Sequence, residues 1–246
     1  MLTTETRAAA YQHHRGELVA YATRLVVRPE VAEELVQDAA VRLLGSEVVP
    51  TEPAEVRAWL FKVVTNLAFD HLRRHSTWRE LVLVDTKACC ERDEAFIAAS
   101  RSMRGSPEQQ AIAREHLVIC FSCTLRNLAP FEAAALLLRE VYAFSTRETA
   151  SHLDATEVQV KNWLQQARRT LEARYARTCA LVTKEGVCHQ CVELDRFFNA
   201  SARDPLDGTA RDVEARLAIV RRDREAALGP WHRQMLRILD DVISNG

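Results

Sequence analysis

The sequence predicts an all-α protein, made of two small helical domains joined by a linker and followed by a helical C-terminal extension. The composition favours helices, because Ala, Leu, Arg and Glu dominate a chain of 246 residues with only 7 Gly and 7 Pro. In several segments the apolar side chains recur at helical spacing. Hydrophobic residues make up 48% of the chain, which is enough for a packed core.

Breaks in the helical pattern divide the chain into four parts. An amphipathic helix in the first part ends at Gly45, before a loop that contains Pro50 and Pro53. Further along the chain the helical pattern weakens, and charges of both signs there indicate a linker. Pro130 is expected to lie in the first turn of a helix of the second domain. The predicted parts are a first domain at 1–80, a linker at 81–106, a second domain at 107–177 and an extension at 178–246.

A helix-turn-helix is predicted within the second domain. Ser145 with Glu148, and Thr156 with Gln159, form two capping boxes, so two helices begin there with a short turn between them. Asp154 stands in that turn, where glycine is usual. It is a tolerable substitute, because Asp enters the left-handed region more readily than most residues.

The second of these helices has one apolar and one polar side. Apolar residues recur at helical spacing and face inward, which leaves Val158 and a series of amide and basic side chains outside. Such side chains suit base edges at the start of a helix and phosphates one or two turns later. An ordinary solvated face is the alternative interpretation. The predicted DNA contacts are Thr156, Gln159, Lys161, Asn162, Gln165, Arg168 and Arg169.

A second polar stripe is predicted on the long helix of the first domain. Lys62, Asn66 and Asp70 are spaced four residues apart, and Arg73 and Arg74 continue the stripe. A basic stripe that carries an amide and has aromatic neighbours suits single-stranded or melting DNA. The alternative is again a solvated face. The buried side of the same helix is predicted to carry Val56, Trp59, Leu60, Val63, Leu67 and His71.

Two CxxC pairs predict a thiolate site for zinc or another metal. Two such pairs can hold a metal ion tetrahedrally, although their separation exceeds that of an ordinary zinc ribbon. Core packing therefore stays open as the role of the first pair. We expect no cofactor to be required. The candidate ligands are Cys120, Cys123, Cys188 and Cys191, with Cys179 and His189 as alternatives.

The net charge and the apolar content limit the classes of protein to which the chain can belong. The net charge of −1 is unusual for a free-standing DNA-binding protein, so either the DNA contacts are local or a partner supplies affinity. No apolar run is long enough to cross a bilayer and no signal-peptide core is found, so we expect a cytoplasmic protein. Phosphate loops, nucleophile elbows and paired-carboxylate sites are not found, so an enzyme is not expected.

Three longer segments occur in order and carry a family resemblance. Tyr11–Arg15 with Ala32–Asp38 comes first, Val56–Arg74 second, and Leu138–Ser145 with Val160–Arg169 third. The chain resembles the bacterial RNA polymerase sigma factors of the extracytoplasmic-function (ECF) group. The three segments resemble, in turn, that family's polymerase-binding region, its promoter-melting helix and its C-terminal helix-turn-helix.

The resemblance implies a mechanism of transcription initiation. The first domain would bind core RNA polymerase through Glu34, Gln37 and Asp38. Its long helix would engage the −10 promoter element, where Asn66 matches a position that captures an unpaired base. The second domain would place its second helix in the major groove of the −35 element. Trp163 replaces a basic residue common at that position in the family, and we expect it to pack inward.

Regulation and two rival functions remain open at this point. Some sigma factors of this group carry a regulatory C-terminal extension, which implies either self-inhibition by residues 178–246 or control by an anti-sigma factor. One rival is a one-component helix-turn-helix regulator that acts without polymerase. The other is a CxxC thiol oxidoreductase, which would need a βαβ context around its cysteines.

Overall fold

A computed structural model describes most of the two predicted domains and part of the extension, and the regular structure it describes is helical throughout. The described residues are 4–46, 50, 52–75, 88–89, 92–95, 97–98, 121, 124–125, 127–178, 213–222, 224–225, 237–238 and 241. The helices are α1 (Thr4–Val26), α2 (Pro29–Gly45), α3 (Pro53–His75), α4 (Pro130–Leu136), α5 (Thr146–His152), α6 (Glu157–Thr178) and α7 (Val213–Arg222). The all-α prediction is confirmed.

Helices α1, α2 and α3 pack against one another as the first domain. Helix α2 ends at Gly45, as the sequence predicts, and α3 begins at Pro53. The buried side of α3 is wider than predicted, because Phe61, Val64 and Ala68 are buried as well as Leu60. This helix is covered on two sides, by its own domain and by the second domain.

The second domain consists of α4, α5 and α6. Pro130 occupies the first turn of α4, where its missing N–H costs no hydrogen bond. A π-helical turn at Leu137–Val141 continues α4, and Ala143 then adopts a left-handed φ of 60°. This irregular corner turns the side chains of Tyr142 and Phe144 toward the first domain.

The two domains share one hydrophobic core. The Tyr142 ring lies edge-on to Tyr21 at 5.4 Å between centroids, and 5.0 Å from Phe61. The Phe144 ring also contacts Phe61, at 5.0 Å. Aromatic rings at these distances and angles add to the stabilisation from burial alone. The described structure is therefore a closed arrangement of the two domains.

Helix α7 of the extension packs against the π-helical turn and α6. It buries Val213, Leu217 and Val220, which follow helical spacing and belong to the shared core. The predicted helical nature of the extension is thus seen in this segment. None of the helices in the described ranges is long and apolar enough to cross a membrane.

Candidate nucleic-acid interface

Two capping boxes begin the helices of the helix-turn-helix, as predicted. The amide of Glu148 donates to Ser145 Oγ at 3.2 Å, and the amide of Ser145 donates to the Glu148 carboxylate at 2.7 Å. The amides of Gln159 and Thr156 make the equivalent pair, at 3.2 Å and 2.9 Å. These reciprocal bonds satisfy N–H groups that a helix start leaves without intrahelical partners, so both starts are fixed locally.

Asp154 gives the turn its sharp angle. Its φ of 48° lies in the left-handed region, as predicted for a residue that substitutes for glycine. The carbonyl oxygen of Ala150 then accepts a hydrogen bond from the amide of Ala155 at 2.9 Å, which closes the turn. The position of α6 relative to α5 follows from these contacts.

The outer side of α6 is exposed as predicted. Val160, Ala167 and Leu171 are buried, whereas most of the predicted contacts are open to solvent: Thr156, Gln159, Lys161, Asn162, Gln165 and Arg169. Val158 lies beside them with 66% of its surface exposed, although it is apolar. Its position on this face agrees with the helical spacing of the sequence, which by itself assigns Val158 no role.

Arg168 is the exception on this face, because it is half-buried and held by acidic partners. Its guanidinium lies 3.2 Å from the carboxylate of Glu140 and 3.2 Å from that of Glu214 on α7. Burial alone would lower the pKa of Arg168, but the two carboxylates raise it, so the group stays charged. In the closed arrangement this cation is already neutralised by protein.

Trp163 turns toward the core of the protein, in agreement with the sequence prediction. It is half-buried and stacks on Phe131 of α4, with 5.2 Å between the ring centroids and 22° between the planes. Phe131 in turn contacts Phe69 of α3 at 4.8 Å. Trp163 therefore contributes to packing near the junction of the two domains, and it is not among the exposed side chains of α6.

The predicted stripe on α3 is on the surface for most of its length. Asn66, Arg73 and Arg74 are exposed, and Asp70 is half-buried and paired with Arg73. Lys62 is the member that the second domain holds. Its Nζ donates to the carboxylate of Asp154 at 2.6 Å and to the carbonyl oxygen of Ser151 at 2.9 Å.

The predicted polymerase-binding residues form one exposed face of α2. Glu34, Gln37 and Asp38 are all exposed, and their spacing places them on adjacent turns. Val41 and Leu44 extend the same side of the helix and are 69% and 42% exposed. The face therefore has an acidic half and an apolar half, and sequence reasoning missed the apolar half.

Arg57 joins α1 to α3 within the first domain and also contacts the second domain, and sequence reasoning did not identify it. Its guanidinium donates to both carboxylate oxygens of Glu17, at 2.8 Å and 3.0 Å, and to the carbonyl oxygen of Tyr142 at 3.0 Å. It also lies over the ring of Phe144, 4.4 Å from the centroid. A bidentate pair at a buried site is strong only when both partners are present.

Ionisable groups near this contact have shifted pKa values. Burial would raise the pKa of Glu17, but the Arg57 hydrogen bonds and charge lower it below its ordinary value. Burial lowers the pKa of His14, which contacts Glu17 at 2.7 Å, and burial likewise lowers the pKa of His152. Burial raises the pKa of Tyr142 to about 12, and Arg24 donates to its hydroxyl oxygen at 2.6 Å.

The predicted metal ligands lie outside the described residues. This applies to Cys120, Cys123, Cys179, Cys188, His189 and Cys191. Within the described part of the chain, no group of three His, Cys, Asp or Glu side chains could hold a metal ion. Cys89, in the predicted linker, is a half-buried free thiol.

The comparisons with known proteins match both domains. The family Sigma-70 region 2 matches residues 10–77, and the family Sigma-70, region 4 matches residues 119–171. The ECF RNA polymerase sigma factor SigL of Mycobacterium tuberculosis is 31% identical over 170 residues, covering 66% of this chain and 85% of that protein. This chain belongs to the ECF RNA polymerase sigma factors.

Two further relatives support the assignment. The probable ECF RNA polymerase sigma factor SigI of Mycobacterium tuberculosis is 27% identical over 222 residues, or 87% of this chain and 71% of that protein. SigX of Bacillus subtilis is 23% identical over 159 residues, or 64% and 77%. The protein is thus a sigma factor that binds core RNA polymerase and directs promoter recognition. A one-component regulator or a thiol oxidoreductase is not favoured.

Proposed function

We propose that this sigma factor docks on core polymerase through the exposed face of α2. The carboxylates of Glu34 and Asp38 supply charge complementarity, the amide of Gln37 supplies neutral hydrogen-bonding groups, and Val41 and Leu44 supply apolar area beside them. This face stays open in the closed arrangement, so polymerase can reach it before the domains separate. Substitution of Val41 by Glu would place a charge in the apolar half and weaken binding of the core enzyme.

The −10 element is opened and held by the stripe on α3. Asn66 is exposed between turns that carry Lys62 and Asp70, so its amide can bond the edge of an unpaired base. Arg73 and Arg74 follow at the end of the helix and suit the phosphates of the displaced strand. The protein contributes binding, and RNA polymerase carries out the chemistry.

The −35 element is recognised by the outer face of α6. Gln159, Lys161, Asn162 and Gln165 present amide and amine groups near the start of the helix, where base edges come within reach. Val158 adds an apolar contact that suits the methyl group of thymine. Thr156, Arg168 and Arg169 suit the phosphate backbone.

The single observation that carries this function is the exposed polar face on each of two family-matched domains. Reconstitution tests it directly. Purified protein and core polymerase are incubated with a fragment library of the host genome, and the 5′ ends of the transcripts are sequenced. We expect start sites that depend on both components and share one promoter sequence. The absence of such starts would contradict the function.

The cysteine pairs keep a proposed role in metal or thiol regulation of the extension. Zinc or another thiolate-bound metal would be held by Cys188 and Cys191 together with Cys120 and Cys123. Metal analysis of the purified protein beside Cys188→Ser tests this, and equal metal content in the two would exclude the site. An anti-sigma factor is an alternative means of control, and an affinity purification would reveal it as a stoichiometric partner.

A further inference from the structure

The outer face of α6 begins with an acidic side chain. Glu157 is the first residue of the helix and is exposed. The charged residues that follow it as far as Arg169 are all cations, Lys161 and Arg168 among them. DNA carries a phosphate at every nucleotide, so a carboxylate on this face lowers affinity unless it meets a hydrogen-bond donor. Glu157 therefore needs either a structural role or a role in recognition.

Capping of the helix does not require Glu157. The capping box uses Gln159 Oε1, which accepts from the amide of Thr156 at 2.9 Å and from its hydroxyl group at 3.0 Å. Lys161 follows Glu157 by four residues, which is a favourable order for an ion pair on a helix. Both side chains lie within the described residues, and they make no ion pair with each other. The structural role that remains is attraction to the positive end of the helix dipole, which is a weak effect at an exposed site.

The chemistry of the major groove limits what a carboxylate can read there. Residues at the start of a recognition helix reach the base edges, where the donors are the N4 amino group of cytosine and the N6 amino group of adenine. Adenine presents its N7 acceptor beside N6, and the lone pair of N7 repels a carboxylate. Cytosine presents a donor only, whereas the polar edge atoms of guanine and thymine are acceptors. A carboxylate at this position therefore favours cytosine over the other three bases.

We propose that Glu157 selects cytosine at one position of the −35 element. Its carboxylate accepts a hydrogen bond from the N4 amino group. Val158 follows directly and is 66% exposed, so two consecutive side chains read pyrimidine edges, one by a hydrogen bond and the other by contact with a methyl group. The inference rests on the proposed function, because it names a base that the outer face of α6 recognises.

Base preference tests the proposal, because a carboxylate that only stabilises the helix start does not affect it. Holoenzyme made with the full-length protein is bound to a library of one promoter from the transcript screen, randomised across the −35 element. We expect the wild-type protein to select cytosine at one position by at least about fivefold over each other base. Glu157→Gln supplies an amide that matches N6 and N7 of adenine, so this variant is expected to select adenine at that position.

Two further variants separate recognition from charge. Glu157→Ala removes the hydrogen-bonding group and is expected to lose the cytosine preference without gaining one for adenine. Glu172→Gln makes the same change in net charge as Glu157→Gln at another exposed position of α6, about four turns further along. It is expected to leave the selected sequence unchanged.

The outcomes distinguish this assignment from the proposed function. Loss of the cytosine preference in both Glu157 variants supports the assignment, and an unchanged preference in both overturns it. An equal change in Glu172→Gln overturns it as well, because net charge then explains the effect. A wild-type holoenzyme with no base preference anywhere in the −35 element contradicts the proposed function of α6 instead.

Discussion

Lys62 of α3 and Asp154 of the helix-turn-helix form an ion pair across the two domains, with 2.6 Å between Nζ and Oδ1. The pair joins the beginning of the −10 stripe to the turn that orients α6. An amine that is held in this way does not neutralise a DNA phosphate at the same time. Release of Lys62 is therefore one of the changes that accompany promoter binding.

Asp154→Asn is expected to strengthen binding of a single-stranded −10 oligonucleotide by the free protein. Asn retains the left-handed backbone at φ 48° but removes the charge that holds Lys62. The side chains are 37% and 71% exposed, and such surface pairs contribute about 1 kcal/mol or less, so the gain is at most about fivefold. Fluorescence anisotropy measures the gain.

Lys62→Ala is the matched variant for this experiment. It removes the same interdomain pair and also the DNA contact, so the affinity for the oligonucleotide is expected to fall. If Asp154→Asn and Lys62→Ala change the affinity in the same direction, the pair does not compete with DNA.

Asn66→Ala is expected to weaken binding of holoenzyme to a −10 fork-junction DNA. The lost amide leaves the unpaired base without its hydrogen bonds, which corresponds to about 1–3 kcal/mol, or roughly five- to 150-fold in affinity. Asn162→Ala on α6 is the reciprocal control and is expected to weaken −35 duplex binding instead. Equal effects of both variants on both DNAs would indicate loss of folding or of polymerase binding, which a thermal melt distinguishes.

Val158→Ala is expected to reduce discrimination between thymine and uracil in the −35 element. Replacing one thymine at a time by deoxyuridine removes only the C5-methyl group. At the contacted position wild-type holoenzyme loses about 0.8 kcal/mol, or roughly fourfold in affinity, for the buried methyl. Holoenzyme that carries Val158→Ala should lose little affinity when the thymine at that position is replaced. A fourfold loss that persists in the variant would show that another side chain contacts the methyl.

The free energy of unfolding is expected to decrease as the pH falls below about 6.5. Burial lowers the pKa values of His152 and His14 below their ordinary 6.5, so the unfolded chain binds protons at a pH where the folded protein does not. The pKa of Glu17 is lowered below its ordinary 4.5. Protonation of this carboxylate therefore reduces the free energy of unfolding further, but only at more acidic pH. Urea unfolding at several pH values measures the slope.

His152→Gln is expected to flatten the pH dependence without abolishing it, since His14 remains. His75→Gln, at the exposed end of α3, is the control. An unchanged slope in His152→Gln would show that this histidine is protonated to the same extent in the folded and unfolded states.

Local chemistry made the helix-turn-helix predictable from the sequence. Ser145 with Glu148 and Thr156 with Gln159 act over three residues, so their capping boxes required no knowledge of the tertiary structure. The helix at Pro130 and the end of α2 at Gly45 follow from the same kind of local rule. Helical spacing likewise separated the exposed face of α6 from its buried one.

The closed arrangement could not be predicted in this way. Phe61 lies outside the apolar stripe predicted for α3, and it is buried because Tyr142 and Phe144 come from a domain more than 80 residues away in the chain. Arg57 likewise contacts the carbonyl oxygen of Tyr142 across the domains, and its carboxylate partner Glu17 is buried on another helix of the first domain. The position of Glu17 among inward-facing residues of α1 indicates that its carboxylate needs a cationic partner. A single sequence does not show which cation that partner is.

The aromatic corner at Tyr142 and Phe144 also makes closure depend on temperature. Both rings are removed from water only while the domains touch, and the attraction between apolar groups weakens on cooling. The apolar part of the attraction between the domains is therefore weaker in the cold, and separation carries a positive heat-capacity change. The apolar contribution of this corner to closure thus varies with temperature, with no new ligand and no covalent modification.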